Sequence, residues 1–526
     1  MKNIQIYDST LRDGAQSEGI SYSLQDKIHI ANALDSLGVA YVEAGNPGSN
    51  PKDIAFFQYL KEHPLKQAKL VAFGSTRKKG ILPAEDANIV SLLQADTPCV
   101  AIFGKAWDLH VTEVLKATLE ENLAMIADTV AFLKANDKEV VFDAEHFFDG
   151  YKANATYAMK TLEVATEAGA DVLCLCDTNG GCFPEEIKTI TEMVVAKFPN
   201  VIVGIHTHDD GGMAVANSIM AVEAGATQVQ GTLAGFGERC GNANLSAVLA
   251  NLQMKRQMQC IPCDKLENLT ATVRQIAEIS NIKLNRSMPY IGKNAFTHKA
   301  GMHVDGILKS AGSFEHIQPE AVGNTRKIVM SEAAGRSLIV EKVRKFLPEL
   351  QKDSQEATLI LEQLKELEYQ GYVFEGAESS FELMVMKLLG KYEPYFSLEK
   401  MNVFSEQTLS AGHKAASAIV KVSVGEKSEM AAAEGDGPVN AIDKALRNAL
   451  GAFYPQIAQM RLIDYKVRVL DSSDATGAKV RVLIESTNGT EYWTTVGVSN
   501  DIIKASCRAL LDSIEYRLMK DKKEST

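Results

Sequence analysis

The feature that most constrains this chain is an alternation repeated eight times between residues 4 and 235. Apolar, strand-like runs occur at 4–9, 41–45, 69–74, 99–104, 139–147, 171–177, 201–208 and 228–235. Stretches of helical periodicity lie between most of them, at 26–37, 51–62, 113–133, 155–168, 185–198 and 213–223, and another follows at 244–255. Strands that are apolar almost throughout, rather than at every second residue, are buried on both faces. Helices must therefore cover both sides of a parallel sheet. Eight such units match a closed (β/α)8 barrel. An open doubly wound sheet is the alternative, but eight parallel units are many for one. No G-x-G-x-x-G follows the first strand, so the dinucleotide fingerprint is missing.

Composition narrows the function classes. The chain has 526 residues and a formal net charge of −12, with 46% hydrophobic and 23% charged residues. At roughly 150 residues per domain, that length predicts three or four domains. No apolar run approaches the ~18–20 residues of a membrane span. Net acidity disfavours a general nucleic-acid binder. The opening MKNIQIYDSTLRDG lacks the basic-then-apolar layout of a signal peptide, so a cytoplasmic enzyme is expected. Eight cysteines are too sparse for a disulfide scaffold. Cys260 and Cys263 form a lone CxxC, which reads as incidental thiols, and Cys174 and Cys176 read as small buried hydrophobes.

Barrel enzymes place their chemistry at the carboxyl ends of the strands. Polar residues cluster there in this chain. Strand one leads into Arg12-Asp13, strand five carries Asp143, Glu145 and His146, and strand six ends Asp177-Thr178. Strand seven ends His206-Thr-His208, and Glu238-Arg239 and Asn242 follow strand eight. His206 and His208 are two apart on a strand, so they share a face and reach one ion. Only strand eight separates strands one and seven in a closed barrel, which brings Asp13, and Asn242 after strand eight, toward the same ion. Two His, one Asp and one Asn form a mixed N/O set with open positions, suited to Mn2+, Mg2+ or Zn2+ and unlike a closed structural zinc site. The bland alternative is a merely polar rim.

An open divalent ion beside Arg12 suits a 2-oxo acid, held through its carboxylate and ketone while a carbon nucleophile adds. Arg12 would face the developing oxyanion or simply bridge acidic residues. Thr178 would hold the substrate carboxylate or cap a turn. Glu145 is a candidate base, or one half of a salt bridge to a barrel Lys or Arg. Glu238 and Arg239 read as an internal ion pair. Phe73, Phe103 and Asp143 are candidates to line the substrate pocket.

Three long segments, YDSTLRDGAQ, HTHDDGGMAVANS and GTLAGFGERCGNANL, resemble signatures of the alpha-isopropylmalate, homocitrate and citramalate synthase family. FTHKAGMHVDGILK at 296–309 is similar to the family's second-domain motif. VAFGSTRKKG at 71–80 and the segment 314–337 look most like its citramalate-forming branch. The resemblance covers nearly the whole chain. It implies condensation of acetyl-CoA with a 2-oxo acid, pyruvate in that branch, followed by thioester hydrolysis on a route to isoleucine. It implies Asp13, His206, His208 and Asn242 as metal ligands and Arg12 as the oxyanion arginine. It further implies Glu145 as the barrel glutamate, Thr178 as the carboxylate-binding threonine, and His303 as a histidine donated by the small domain, often of the partner subunit. One departure stands out. Relatives often carry Tyr where this chain has Phe314, which removes a hydroxyl.

The remaining sequence predicts a catalytic barrel at 1–268, small α-rich linker subdomains at 269–390 and an α+β regulatory and dimerisation domain at 391–526. A helical stretch is expected over 341–370, and strands near 418–424, 462–470, 479–485 and 492–498. An N-x-I-x-K-A pattern at 440–445 recurs at 500–505, each time expected to open a helix with Asn at the N-cap. The resemblance implies a homodimer with amino-acid feedback, isoleucine first. The Gly435-Asp-Gly-Pro438 segment reads as backbone N–H groups for an effector carboxylate, or as a plain turn. Competing functions are a synthase for a larger 2-oxo acid, a lyase or aldolase on the same barrel, and a non-enzymatic sensor.

Overall fold

The computed structural model describes residues 2–48, 51–299, 301–328, 336–374, 376–405, 416–470 and 478–524. Most of the segment 314–337 is among them, but its stretch 329–335 lies outside the described residues. The chain divides into two compact units, one of 1–297 with 315–327, the other of 298–314 with 328–526.

The first unit is a closed eight-stranded barrel in sequential order. Its strands are β1 (Gln5–Asp8), β2 (Tyr41–Glu43), β3 (Lys69–Ser75), β4 (Cys99–Lys105), β5 (Glu139–Glu145), β6 (Val172–Asp177), β7 (Ile202–Thr207) and β8 (Gln228–Gly231). Every strand pair is parallel, and β8 closes on β1 through Gln5↔Gln228 to Asp8↔Gly231. The covering helices are α1 (Leu24–Leu37), α2 (Pro51–Glu62), α3 (Ala87–Gln94), α4 (Leu119–Ala135), α5 (Phe147–Glu167), α6 (Pro184–Lys197), α7 (Ala214–Glu223) and α8 (Leu245–Ala250). Outward strand residues such as Val100, Ile102, Val140 and Phe142 meet these helices in one core, and α9 (Leu269–Ile279) adds Val273 and Ile276 to it. The inward residues Tyr7, Tyr41, Val71, Cys99, Ala101, Val141 and Cys174 fill the barrel. Cys174 and Cys176 are buried free thiols, as their place on an apolar strand implies.

Local chemistry sets the helix ends. Ser23 and Asp26 form a reciprocal capping box on α1, and Gly38 stops it in the left-handed region at φ 92°. The helix expected from residue 113 instead begins at Leu119. A wide turn at His110–Val114 precedes it, and Thr118 caps α4 by accepting from the Glu121 N–H. The helix expected at 155 begins eight residues earlier, with non-helical geometry at Asn154. α3 was absent from the periodicity, being a short helix.

In the second unit, the helix expected over 341–370 is two helices, α11 (Arg336–Arg344) and α12 (Gln355–Tyr369), after the earlier α10 (Gly301–Lys309). Pro348 lies in the break, where its missing N–H and fixed φ end a helix. α13 (Glu378–Leu388) follows. Two strand–strand–strand–helix units then repeat. Antiparallel strands Ser397–Ser405, Ala416–Val424 and Lys427–Gly435 precede α14 (Pro438–Gly451). Strands Arg461–Val469, Val480–Thr487 and Tyr492–Ser499 precede α15 (Ile502–Glu524). The sequence repeat thus marks a structural repeat, but neither Asn is an N-cap. Asn440 is the third residue of α14, where its side chain accepts from the Asp436 N–H. Asp501 caps α15, accepting from the N–H groups of Ile503 and Lys504. The strand at 397–405 was missed because its residues are mostly polar or half-exposed. Ile339, Val343, Phe381 and Val385 share a core with Val496 and Val498, so α11–α13 and the last sheet pack as one body.

Candidate active site

The strand ends converge on a cavity of about 260 Å³ lined by Arg12, Asp13, Phe73, Phe103, Asp143, Glu145, Thr178, His206 and His208, among others. Seven of the eight residues expected at the site belong to the barrel unit, and six of these line the cavity. The seventh, Asn242, is buried behind it, joined to His208 by a backbone bridge.

Asp13 sits in the turn after β1, where its backbone N–H meets Ser9 Oγ at 3.3 Å. His206 is the penultimate residue of β7, and His208 follows the strand. Asp13, His206 and His208 each offer a ligand atom within 4.8 Å of the others, and all three are buried. His206 Nδ1 lies 2.9 Å from Gln230 Oε1, a carbonyl acceptor that fixes the ring proton on Nδ1. His206 Nε2 therefore faces Asp13 Oδ2, 3.5 Å away. Gln230 Nε2 donates in turn to Asp143 Oδ1 at 3.0 Å.

Three buried atoms here have no hydrogen-bond partner: Asp13 Oδ1, His208 Nδ1 and Asn242 Oδ1. An unsatisfied buried polar atom costs about 1–3 kcal/mol. Three of them on neighbouring residues fit a cation site, and the donor set of two imidazoles, a carboxylate and an amide carbonyl suits an open divalent site. Asn242 Nδ2 donates to Phe236 O at 3.0 Å, which turns its Oδ1 the other way. Only glycine fits at 237, where a Cβ would lie 2.2 Å from Asn242 Nδ2. Burial would lower His206, but its bond to the Asp13 carboxylate outweighs that and raises it to about 10. Burial would raise the Asp13 carboxyl, but Arg12 and both histidines outweigh it and hold it well below the carboxylate range. Burial, then His206, pushes His208 down to about 4, so its imidazole is neutral.

Arg12 is pinned on three sides. Its Nε meets Glu43 at 2.7 Å, its Nη1 meets Asp13 at 3.1 Å, and its guanidinium lies 3.8 Å from the centre of the Phe73 ring. Glu43, fully buried, also accepts from Tyr7 at 2.6 Å and from Ser9. Phe73 stacks on Phe103 with ring centres 5.6 Å apart, forming a rigid aromatic wall. Burial, with Glu43 second, raises Asp143 to about 6.

On the far side, Glu145 pairs with Lys105, its register partner across β4 and β5. The salt-bridge alternative for Glu145 thus holds, and it leaves the carboxylate in the cavity lining. Thr178 Oγ1 accepts from the His146 N–H at 2.9 Å. His146 adopts a left-handed backbone at φ 55°, which aims that N–H. The expected Glu238–Arg239 pair is not what forms. Arg239, itself left-handed at φ 55°, bonds Asp210 at 2.8 and 3.0 Å and the Thr178 carbonyl at 2.7 Å. Its backbone turns the side chain away from its sequence neighbour.

His303 belongs to the second unit, on α10, where its ring stacks on Phe314 at 4.3 Å between centres. A Cβ at Gly306 would lie 2.4 Å from the Phe314 ring, so this glycine makes room for the stack.

Residues 3–279 match the HMGL-like family. The chain belongs to that family. Residues 290–371 match the homocitrate synthase post-HMGL domain-like family, and 375–518 match the LeuA allosteric (dimerisation) domain. An (R)-citramalate synthase of Aquifex aeolicus (strain VF5) is 51% identical over 523 residues, covering 99% of both chains. One of Sulfolobus acidocaldarius is 45% identical over 522 residues, covering 99% of this chain and 98% of its own. A 2-isopropylmalate synthase of Bacillus cereus (strain Q1) is 31% identical over 518 residues, covering 97% of both.

Sequence reasoning missed Lys105 and Gln230. A period-2 count would have found both. Lys105 continues the inward series Cys99, Ala101, Phe103, and Gln230 continues Gln228 on β8.

Proposed function

We propose that the chain is a citramalate synthase, joining acetyl-CoA to pyruvate, hydrolysing the thioester to citramalate and CoA, and feeding isoleucine synthesis. The observation that carries this is half-identity to (R)-citramalate synthases along the full length of both chains, on a barrel whose mouth holds an open donor set.

Asp13, His206, His208 and Asn242 would hold a divalent ion, Mn2+ or Mg2+ before Zn2+. Such an ion supplies Lewis acidity to a chelated 2-oxo acid. Arg12, fixed by Glu43 and Phe73, presents a charged N–H to the ketone oxygen as it gains negative charge. The Thr178 hydroxyl, oriented by the His146 N–H, donates to the substrate carboxylate. Glu145 removes a proton from the acetyl methyl. His303, brought by the small domain of the same or the partner subunit, supplies a further proton-transfer group. Phe73, Phe103 and Asp143 line the cavity, and the bulk of the two stacked rings favours a methyl group over a branched or carboxylated chain.

The LeuA-type domain points to a homodimer under feedback, with isoleucine as the first effector and leucine the second. The eight cysteines are all unpaired, as in a reducing, cytoplasmic setting. No helix among the described residues is long and apolar enough to cross a membrane. Cutting the chain at 390 would strip the core shared by α11–α13 and the last sheet, so feedback is better tested on the whole protein. CoA release should fall with added isoleucine more than with leucine.

A thiol-release assay with acetyl-CoA and a panel of 2-oxo acids tests the activity. Pyruvate should give the highest kcat/KM. A higher value with 2-oxoisovalerate would favour the isopropylmalate alternative, which the Bacillus cereus relative keeps in view. His303→Ala mixed with Arg12→Ala should recover activity if the site is shared between subunits.

A further inference from the structure

Lys105 has no part in the reading above, yet its placement is specific. It ends β4 facing inward, directly in register with Glu145, and its ammonium pairs with that carboxylate. Only 15% of the Lys105 side chain and 24% of the Glu145 side chain are exposed, so water screens the pair poorly. Its Nζ lies 5.4 Å from the centre of the Phe103 ring, and Asn122 Nδ2 donates to its backbone carbonyl at 2.8 Å. The other cations at the mouth are committed elsewhere: Arg12 to Glu43 and Asp13, Arg239 to Asp210. Among the described residues, the carboxylate partner of Lys105 is Glu145.

We propose that Lys105 is a catalytic residue that stabilises the enolate oxygen of the acetyl thioester; this rests on the synthase reading and on Glu145 as the base. In that step a methyl C–H bond breaks and its proton passes to a Glu145 oxygen. The C–H electron pair becomes the new C=C bond, and the carbonyl π pair moves to the thioester oxygen. Net negative charge therefore leaves Glu145 and appears on the enolate a few ångströms away. A cation already seated beside the carboxylate serves both charge distributions without rearranging, which is what makes a preorganised donor effective. Burial, then the charges of His146 and Lys105, lowers the pKa of the neighbouring His110.

The test uses the full-length, Mn2+-loaded protein with acetyl-CoA and pyruvate. Lys105→Met and Lys105→Gln should each lose about 10²–10³-fold in kcat, the cost of one oxyanion donor. Mn2+ affinity and the pyruvate KM should hold. The primary isotope effect with trideuteroacetyl-CoA should be at least that of the unsubstituted protein, because enolate formation becomes the slow step. A kcat within about threefold of wild type, or loss of the isotope effect, overturns the proposal. A neutral side chain opposite an ionised Glu145 is the variant at risk of misfolding, so Lys105→Met is also placed on Glu145→Gln, where no charge is left unpaired. If Lys105 stabilises the enolate, the double variant is slower than Glu145→Gln alone. Equal rates would mean that Lys105 acts only by holding Glu145, which contradicts the proposal. If wild type releases no CoA with any 2-oxo acid, the synthase reading fails instead.

Discussion

The two sides of the barrel mouth handle charge in opposite ways. On the side of β1, β7 and β8, Asp13, His208 and Asn242 each leave a buried polar atom without a partner. On the side of β4 and β5, Lys105 and Glu145 neutralise each other. The first group is buried and the second half-buried. An interior tolerates orphaned acceptors where a cation completes them, and it tolerates two opposite charges where they pair with each other. Under the proposed function, the first side would hold a cation and an anionic acid, and the second would act on an uncharged thioester methyl.

That division breaks most visibly at the histidines. Replacing His206 and His208 together by Ala should reduce CoA release to background and abolish Mn2+ binding by titration calorimetry. Activity that survives would remove the metal from the account. Glu145→Gln should cost about 10²–10⁴-fold in kcat while leaving Mn2+ affinity intact. If it weakened Mn2+ binding as well, the two sides would not be separate. Gln230→Leu removes the acceptor on His206 Nδ1 and should weaken Mn2+ binding about 10–100-fold, the usual cost of losing an outer partner of a ligating histidine. Gln230→Glu, which still accepts, should retain more affinity.

The smallest effect concerns Asp143, between the two sides. Its carboxyl is raised to about 6 by burial. A carboxyl raised on folding binds its proton more tightly in the native state. Its stabilising share is therefore complete below the unfolded pKa near 3.9 and is lost as pH rises through about 6. Asp143→Asn keeps a carbonyl acceptor for Gln230 and has no proton to lose. Relative to wild type it should gain stability between pH 4 and 6, by at most about 3 kcal/mol, read as a difference in thermal unfolding across pH. A constant difference across that window would show that the carboxyl is not raised.

The barrel was legible in the sequence because its strands are buried on both faces and so carry unbroken apolar runs. The convergence of Asp13, His206 and His208 was legible because i, i+2 spacing on β7 and the closure of β8 on β1 are fixed by geometry. What stayed hidden depends on side chains crossing between strands. Nothing local tells that Arg239 turns to Asp210 rather than to Glu238, since the decision lies in a left-handed backbone at 239. The capping of α15 by Asp501 rather than Asn500 is a one-residue shift that a repeat pattern does not resolve. The helix expected over 341–370 failed at Pro348, a signal present in the sequence and outweighed by charge periodicity. Motif resemblance singled out His303, whereas Lys105 lay in the sequence within reach of simple alternation.

The central claim is that this mouth is a metal-dependent site for joining acetyl-CoA to pyruvate. The most direct measurement is CoA release from that pair before chelation, after removal of divalent ions with EDTA, and after Mn2+ is restored. Release should depend on pyruvate, disappear on chelation and return with Mn2+. Release that continues at full rate in the chelated protein, or that never depends on a 2-oxo acid, would contradict it.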